Sequence, residues 1–190
     1  MYDKALIILE ACKLIASGSK ESARNIINNQ YKFNYKDIQK RTHTDSQKME
    51  TFLRDGFIDR YNGSKLVIPG ILKVLSVYFP DEFPYQSHWR MQETHVAYWE
   101  LVPTIDHVVP IAIGGEDNKE NWVTTSMLHN AIKSNWTLEQ IGWEIQNPVN
   151  LTEWDGLTSL FINIVDKDKE LLKDQYIKKW YNLTKKILFI

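Results

Sequence analysis

Cysteine is nearly absent: Cys12 stands alone. One thiol excludes an internal disulfide framework and a zinc site built only from cysteines. Cys12 falls within an apolar helical pattern, so a buried core thiol is expected rather than a nucleophile. No hydrophobic run approaches the roughly 18 residues that a membrane span requires. The N-terminus does not show the layout of a signal peptide, so a cytoplasmic, non-membrane protein is expected. Net charge is also lacking, with 23 Lys+Arg against 24 Asp+Glu giving −1. That balance excludes a broad basic coat for nucleic acid. Internal repeats and flexible linkers are absent. What the 190 residues do contain is 43% hydrophobic content with seven Trp, nine Tyr and seven Phe. This is enough large apolar surface for a real core, and it excludes disorder of the whole chain.

The N-terminal third reads as helical. Ala5, Leu6, Leu9, Cys12, Leu14 and Ile15 recur near the helical period, Gly18 supplies a stop, and Ser19 can cap a second helix carrying Ala23, Ile26 and Ile27. Residues 32–41 are basic and ambiguous between strand and helix. Thr44 followed by Gln47 is a capping-box pattern opening a helix with Met49, Phe52 and Leu53, which Gly56 can end. Phe57–Tyr61, an Asn62-Gly63 turn and Lys65–Pro69 read as a short hairpin, because Asn-Gly adopts the positive φ angles that such turns need. A buried helix is expected over 71–79, ended by Pro80, and another could form over 91–101. Two helices are expected over 151–190. Residues 1–50 hold nine Lys/Arg and six Asp/Glu (+3), whereas residues 101–150 hold two and six (−4).

The chemistry concentrates in residues 104–136. The pattern there is a strand (Thr104–Pro110), a Gly114-Gly115 loop, a second strand (Asn121–Thr125) and a helix (about 126–135). A metal-dependent phosphodiesterase needs a cation to offset charge growing on the phosphate and a base to activate water. Asp106 as a ligand to a hard cation beside His107 acting on water meets both needs. Adjacent strand residues point to opposite faces unless the strand end twists.

Asp106-His107-Val108-Val109-Pro110, then Gly114-Gly115, then Asn121, then Asn130-x-x-Lys133 resembles the HNH nuclease motif, the strand–strand–helix metal finger of the ββα-metal superfamily. A looser likeness to bacterial HNH proteins runs over residues 54–145, carried by Arg54–Tyr61 and Asn135–Glu139. The resemblance implies an α+β protein, mainly helical, with a central ββα-metal module and a short hairpin. The implied regions are an N-terminal helical, candidate DNA-contacting part (1–55), the nuclease module (56–145) and a C-terminal helical extension packed on it (146–190).

By position, the resemblance makes His107 the general base and Asp106 and Asn130 the ligands of Mg²⁺ or Mn²⁺. It makes Asn121 the brace of the loop that holds His107, and puts Lys133 near the scissile phosphate. Hydrolysis would leave a 5′-phosphate and a 3′-hydroxyl. Many relatives of this type carry two Cys-x-x-Cys pairs around a structural zinc, which align here with Asp59, Asn62, Ser126 and His129. These make a poor zinc site. No structural zinc is expected, and hydrogen bonds among the four are expected to replace it. The register makes His129 structural.

The partner implied is DNA, with a restriction or other prokaryotic defence role. A homodimer would let two single-strand cutters act on both strands, although nothing in the sequence shows one. Two alternatives stand beside this: a non-catalytic DNA-binding protein of the same fold, and a nuclease acting on RNA or within a larger complex. Arg54, Arg60 and Arg90 are candidate phosphate contacts. His43, His88 and His95 lack partners at recognisable spacing and read as ordinary surface or packing residues. Trp99, Trp122, Trp136, Trp143 and Trp154 read as core rather than base-stacking platforms. Lys167–Lys186 reads as a solvated helical face, because acidic residues interleave with it.

Overall fold

The computed structural model describes residues 3–33 and 42–189. The fold is α+β: helices form about half of the chain, and the sheet among the described residues has two antiparallel strands. The chain divides into two compact units, Met1–Asp37 and Ile38–Ile190.

The first unit contains α1 (Lys4–Ala16) and α2 (Lys20–Gln30). Asp3 caps α1 by accepting from the Ala5 amide at 2.9 Å, and Gly18 turns the chain at φ +84°. Ser19 makes no side-chain capping bond to α2. The stripe between the helices is narrow, with Ile7, Ala11 and Ala23 buried. Cys12 lies one step off that stripe and is exposed, which corrects the expectation of a buried thiol. Most of the ambiguous basic segment, 34–41, lies outside the described residues.

The second unit opens with α3 (Asp45–Arg54), started by the capping box that the sequence predicts. The Gln47 amide donates to Thr44 Oγ1 at 3.2 Å, and the Thr44 amide donates to Gln47 Oε1 at 2.8 Å. At Gly56 (φ +72°) a Cβ would sit 2.0 Å from the Val149 carbonyl oxygen, so glycine is required there. The expected hairpin shrinks to one bridge, Ile58–Lys65. The edges on either side pair elsewhere: the Arg60 amide donates to Thr124 O (2.9 Å) and the Val67 amide to Leu101 O (3.1 Å).

Helix α4 (Pro69–Tyr78) follows, with proline at its first position, where no amide hydrogen is needed. Only one turn, α5 (Ala97–Glu100), forms within 91–101. Strands β1 (Pro103–His107) and β2 (Trp122–Ser126) then pair from Pro103–Ser126 to His107–Trp122. β1 is shorter than its apolar pattern suggests, because Pro110 has no amide to donate and a 3₁₀ turn at Ile111–Ile113 takes over. Helix α6 (Met127–Lys133) leaves β2 directly, and a single turn, α7 (Leu138–Ile141), follows it.

The chain ends in α8 (Thr158–Lys167) and α9 (Gln175–Leu188), with a 3₁₀ turn between them. Phe161 and Ile177 from these helices meet Phe52, Phe57 and Tyr98 in the core. Each such side chain contributes on the order of 1.5–3 kcal/mol by leaving water. α3 packs on β1, β2 and α9, so it belongs to this second unit. Among the described residues no helix is long and apolar enough to cross a membrane.

Candidate functional site

The site forms where β1 ends. Asp106 is buried, and one of its oxygens is committed: Oδ2 accepts from Tyr61 Oη at 2.5 Å and forms an ion pair with Lys133 Nζ at 2.9 Å. Burial, followed by the charge of Asp106 and this bond, pushes the Tyr61 phenol well above its ordinary range, so it stays a neutral donor. Asp106 Oδ1 makes no hydrogen bond among the described residues. Lys133 is fully buried, and its ammonium also donates to the His107 carbonyl at 2.7 Å. The expectation of Lys133 beside a phosphate meets a different geometry here. Its last-turn position on α6 points the long stem beneath β1, where the charge offsets that of Asp106.

His107 is also buried, and its Nε2 lies 2.8 Å from Asp117 Oδ1. Trp122 Nε1 donates to the same oxygen at 2.9 Å and lies 3.1 Å from His107 Nε2. The hydrogen bond from His107, the largest influence, holds the Asp117 carboxyl below its usual range; Trp122 and the two histidines act in the same direction. His107 Nε2 thus faces both the Asp117 carboxylate and the Trp122 N–H, whereas Nδ1 makes no hydrogen bond among the described residues.

Against this group stands His43, its ring 5.6 Å from that of His107 and edge-on to Trp122 at 4.6 Å. Its Nε2 is buried with no hydrogen-bond partner among the described residues and lies 3.5 Å from Asp117 Oδ1. Burial is the main cause of its lowered pKa. His43 is therefore not the ordinary surface or packing residue that its sequence neighbourhood suggests.

An open depression of about 330 Å³ is lined by His43, Asp106, His107, Asn130, Ser134 and Asn135. Asp106 and His107 reach it together although they are adjacent in β1, because His107 is the strand's last residue. The Asn130 carboxamide makes no hydrogen bond among the described residues. Ser134 adopts φ 48°, ψ −126°, a conformation that normally calls for glycine, and Trp136 N bonds to Lys133 O at 3.0 Å across the turn. That turn carries Asn135 to the depression and leaves Trp136 55% exposed, against its reading as core. Trp122, by contrast, is buried.

The loop between the strands is closed by Asn121. Its Oδ1 accepts from Val109 N at 2.8 Å, and its Nδ2 donates to Val109 O (2.9 Å) and Glu116 O (2.8 Å). A Cβ on Gly115 would lie 1.9 Å from Val109 O, so the close approach needs glycine. This closure carries Asp117 back to His107.

On the other side of β2, Asp59 is completely buried and accepts from Tyr61 N (3.0 Å), Thr125 Oγ1 (3.0 Å), Ser126 N (2.8 Å) and His129 Nδ1 (2.7 Å). Burial works against its charge, but these bonds outweigh burial and hold its pKa below the ordinary value. Ser126 Oγ in turn caps α6 by accepting from the His129 amide at 3.0 Å. Asp59, Ser126 and His129 thus form one network. Asn62 stays in the adjacent turn, where it accepts from Ser64 N at 2.8 Å.

Arg54 and Arg60 have no free guanidinium. Both bond the fully buried Asp55, and Arg54 also reaches Lys119 O and Trp122 O. As clamps on a buried carboxylate they are poor candidates for phosphate contacts. Arg90 is exposed, with Glu93 3.4 Å away.

Two donor sets result. Asp106 Oδ1 and the Asn130 amide oxygen are hard oxygen donors on one depression, which suits a hard divalent cation that keeps most of its waters. His43, His107 and Asp117 offer two imidazole nitrogens and a carboxylate oxygen, all within 4.8 Å of one another. No family model, no curated protein and no solved structure matches the chain.

Proposed function

We propose that the protein is an HNH-type endonuclease that hydrolyses DNA phosphodiester bonds with Mg²⁺ or Mn²⁺. One observation carries the reading: Asp106, His107 and Asn130 line a single depression, with Asp106 Oδ1, the Asn130 carboxamide and His107 Nδ1 all left without a hydrogen-bond partner among the described residues. All three open onto the depression, where a cation or a water molecule can reach them.

In this reading His107 Nδ1 takes a proton from the attacking water, and Asp117 stabilises the imidazolium that forms while fixing its tautomer. The water oxygen bonds to phosphorus as the P–O3′ bond breaks, leaving a 5′-phosphate and a 3′-hydroxyl that gains its proton from solvent. Lys133 and Tyr61 hold Asp106 by one oxygen so that the other stays available. Asn121 and Gly115 keep the loop closed so that Asp117 stays on His107. A divalent cation at Asp106 and Asn130 would supply positive charge against that developing on the phosphate. The surplus cations of residues 1–50 are the candidate grip on the duplex, and a restriction or defence role fits such an enzyme.

The test is relaxation of supercoiled plasmid. Mg²⁺-dependent nicking that chelator stops, and that His107→Ala lowers on the order of 10²–10⁴-fold with DNA binding retained, is the expected result. Normal nicking by His107→Ala overturns the role of that residue. Retained binding without cleavage by the parent chain favours a non-catalytic DNA-binding protein, and preference for RNA in a parallel digest changes the substrate.

A further inference from the structure

We propose that His43, His107 and Asp117 form a binding site for one borderline transition-metal ion of the Zn²⁺ class, separate from the Asp106/Asn130 pair, and that filling it silences His107. The metal-binding half stands on its own geometry. The silencing half rests on the nuclease reading above.

Tetrahedral ligands held at about 2.0 Å from Zn²⁺ stand about 3.3 Å from one another. Two edges of the trio bracket that value: His107 Nε2 to Asp117 Oδ1 is 2.8 Å, and His43 Nε2 to Asp117 Oδ1 is 3.5 Å. The third, between the two imidazole nitrogens, falls within 4.8 Å. Independently of these distances, His43 Nε2 is buried with no hydrogen-bond partner among the described residues. A buried imidazole nitrogen facing a carboxylate oxygen and a second imidazole can give up its proton and present a lone pair to a metal ion. The donor set of two nitrogens and one oxygen suits Zn²⁺ or Co²⁺ and disfavours Mg²⁺, which takes oxygen. Trp122 Nε1 already donates to Asp117 Oδ1, the kind of outer hydrogen bond that orients a ligating carboxylate.

The consequence for His107 follows from its tautomer. A metal on Nε2 displaces the proton now directed at Asp117, and the neutral ring must then carry its hydrogen on Nδ1. No lone pair remains there to accept a proton from water. The ion therefore competes with the hydrogen bond that prepares the base, without touching Asp106 or Asn130.

The experiment is titration of the full chain with Co²⁺ alone, with no Mg²⁺ present, read by the visible absorption of tetrahedral Co²⁺, with the fold of each variant checked by circular dichroism. The expected result is one equivalent bound, with affinity lowered at least about tenfold in His43→Ala and Asp117→Asn and kept in Asp106→Asn. Absence of a tetrahedral spectrum, unchanged binding in His43→Ala, or loss in Asp106→Asn overturns the site; His43→Gln replaces His43→Ala if the latter does not fold. Inhibition is read separately, as the ratio of plasmid nicking in Mg²⁺ with and without added Zn²⁺. Preserved Co²⁺ binding with no nicking at all discards the nuclease reading and keeps the metal site. Nicking that Zn²⁺ leaves unchanged discards the silencing.

Discussion

Two buried carboxylates beside the small sheet have opposite fates. Asp59 spends both oxygens on four hydrogen bonds and ties the 59–61 turn to β2 and α6. Asp106 receives Tyr61 and Lys133 on one oxygen and makes no hydrogen bond through the other among the described residues. The histidines differ in the same way: His129 is committed to Asp59, whereas His107 is oriented through Nε2 and leaves Nδ1 unpaired among the described residues. Saturation marks the group that holds the fold. A group held on one side and open on the other is prepared to act on something else.

The contrast breaks most readily at Asp59. Asp59→Ala leaves two backbone amides, a hydroxyl and an imidazole without their acceptor, and should cost about 3–5 kcal/mol in urea unfolding. The pH dependence sharpens this. Asp59 has a folded pKa below its unfolded one, so its stabilisation is complete above the ordinary carboxylate range and is lost as pH falls through it. The stability gap between the parent chain and Asp59→Asn should therefore narrow below about pH 4. His107→Ala should cost only about 1–2 kcal/mol while removing nicking. Equal destabilisation by His107→Ala and Asp59→Ala would erase the distinction between the two carboxylate–histidine pairs. Arg90→Ala, an exposed residue outside both networks, should change unfolding by less than about 0.5 kcal/mol.

The sequence made some of this readable and hid the rest. Thr44 and Gln47 announce their capping box because the signal is local, and the strand–loop–strand–helix order of 104–136 follows from two short β-forming runs flanking two glycines. Asp117 and His43 are silent for the opposite reason. They meet His107 only after the loop closes and the start of α3 packs on the sheet, and no spacing encodes that meeting. Arg54 and Arg60 look like phosphate contacts in a list of charges, because the list does not reveal that Asp55 is buried between them. Cys12 follows the helical period but sits one step off the narrow face that α2 covers.

The network around Asp59 has a practical consequence. Where thiolates hold a structural zinc, a chelator that removes metal also unfolds the chain. Here hydrogen bonds join Asp59, Ser126 and His129 with no thiolate among them. The fold should therefore survive chelator, with its circular dichroism spectrum and urea midpoint unchanged.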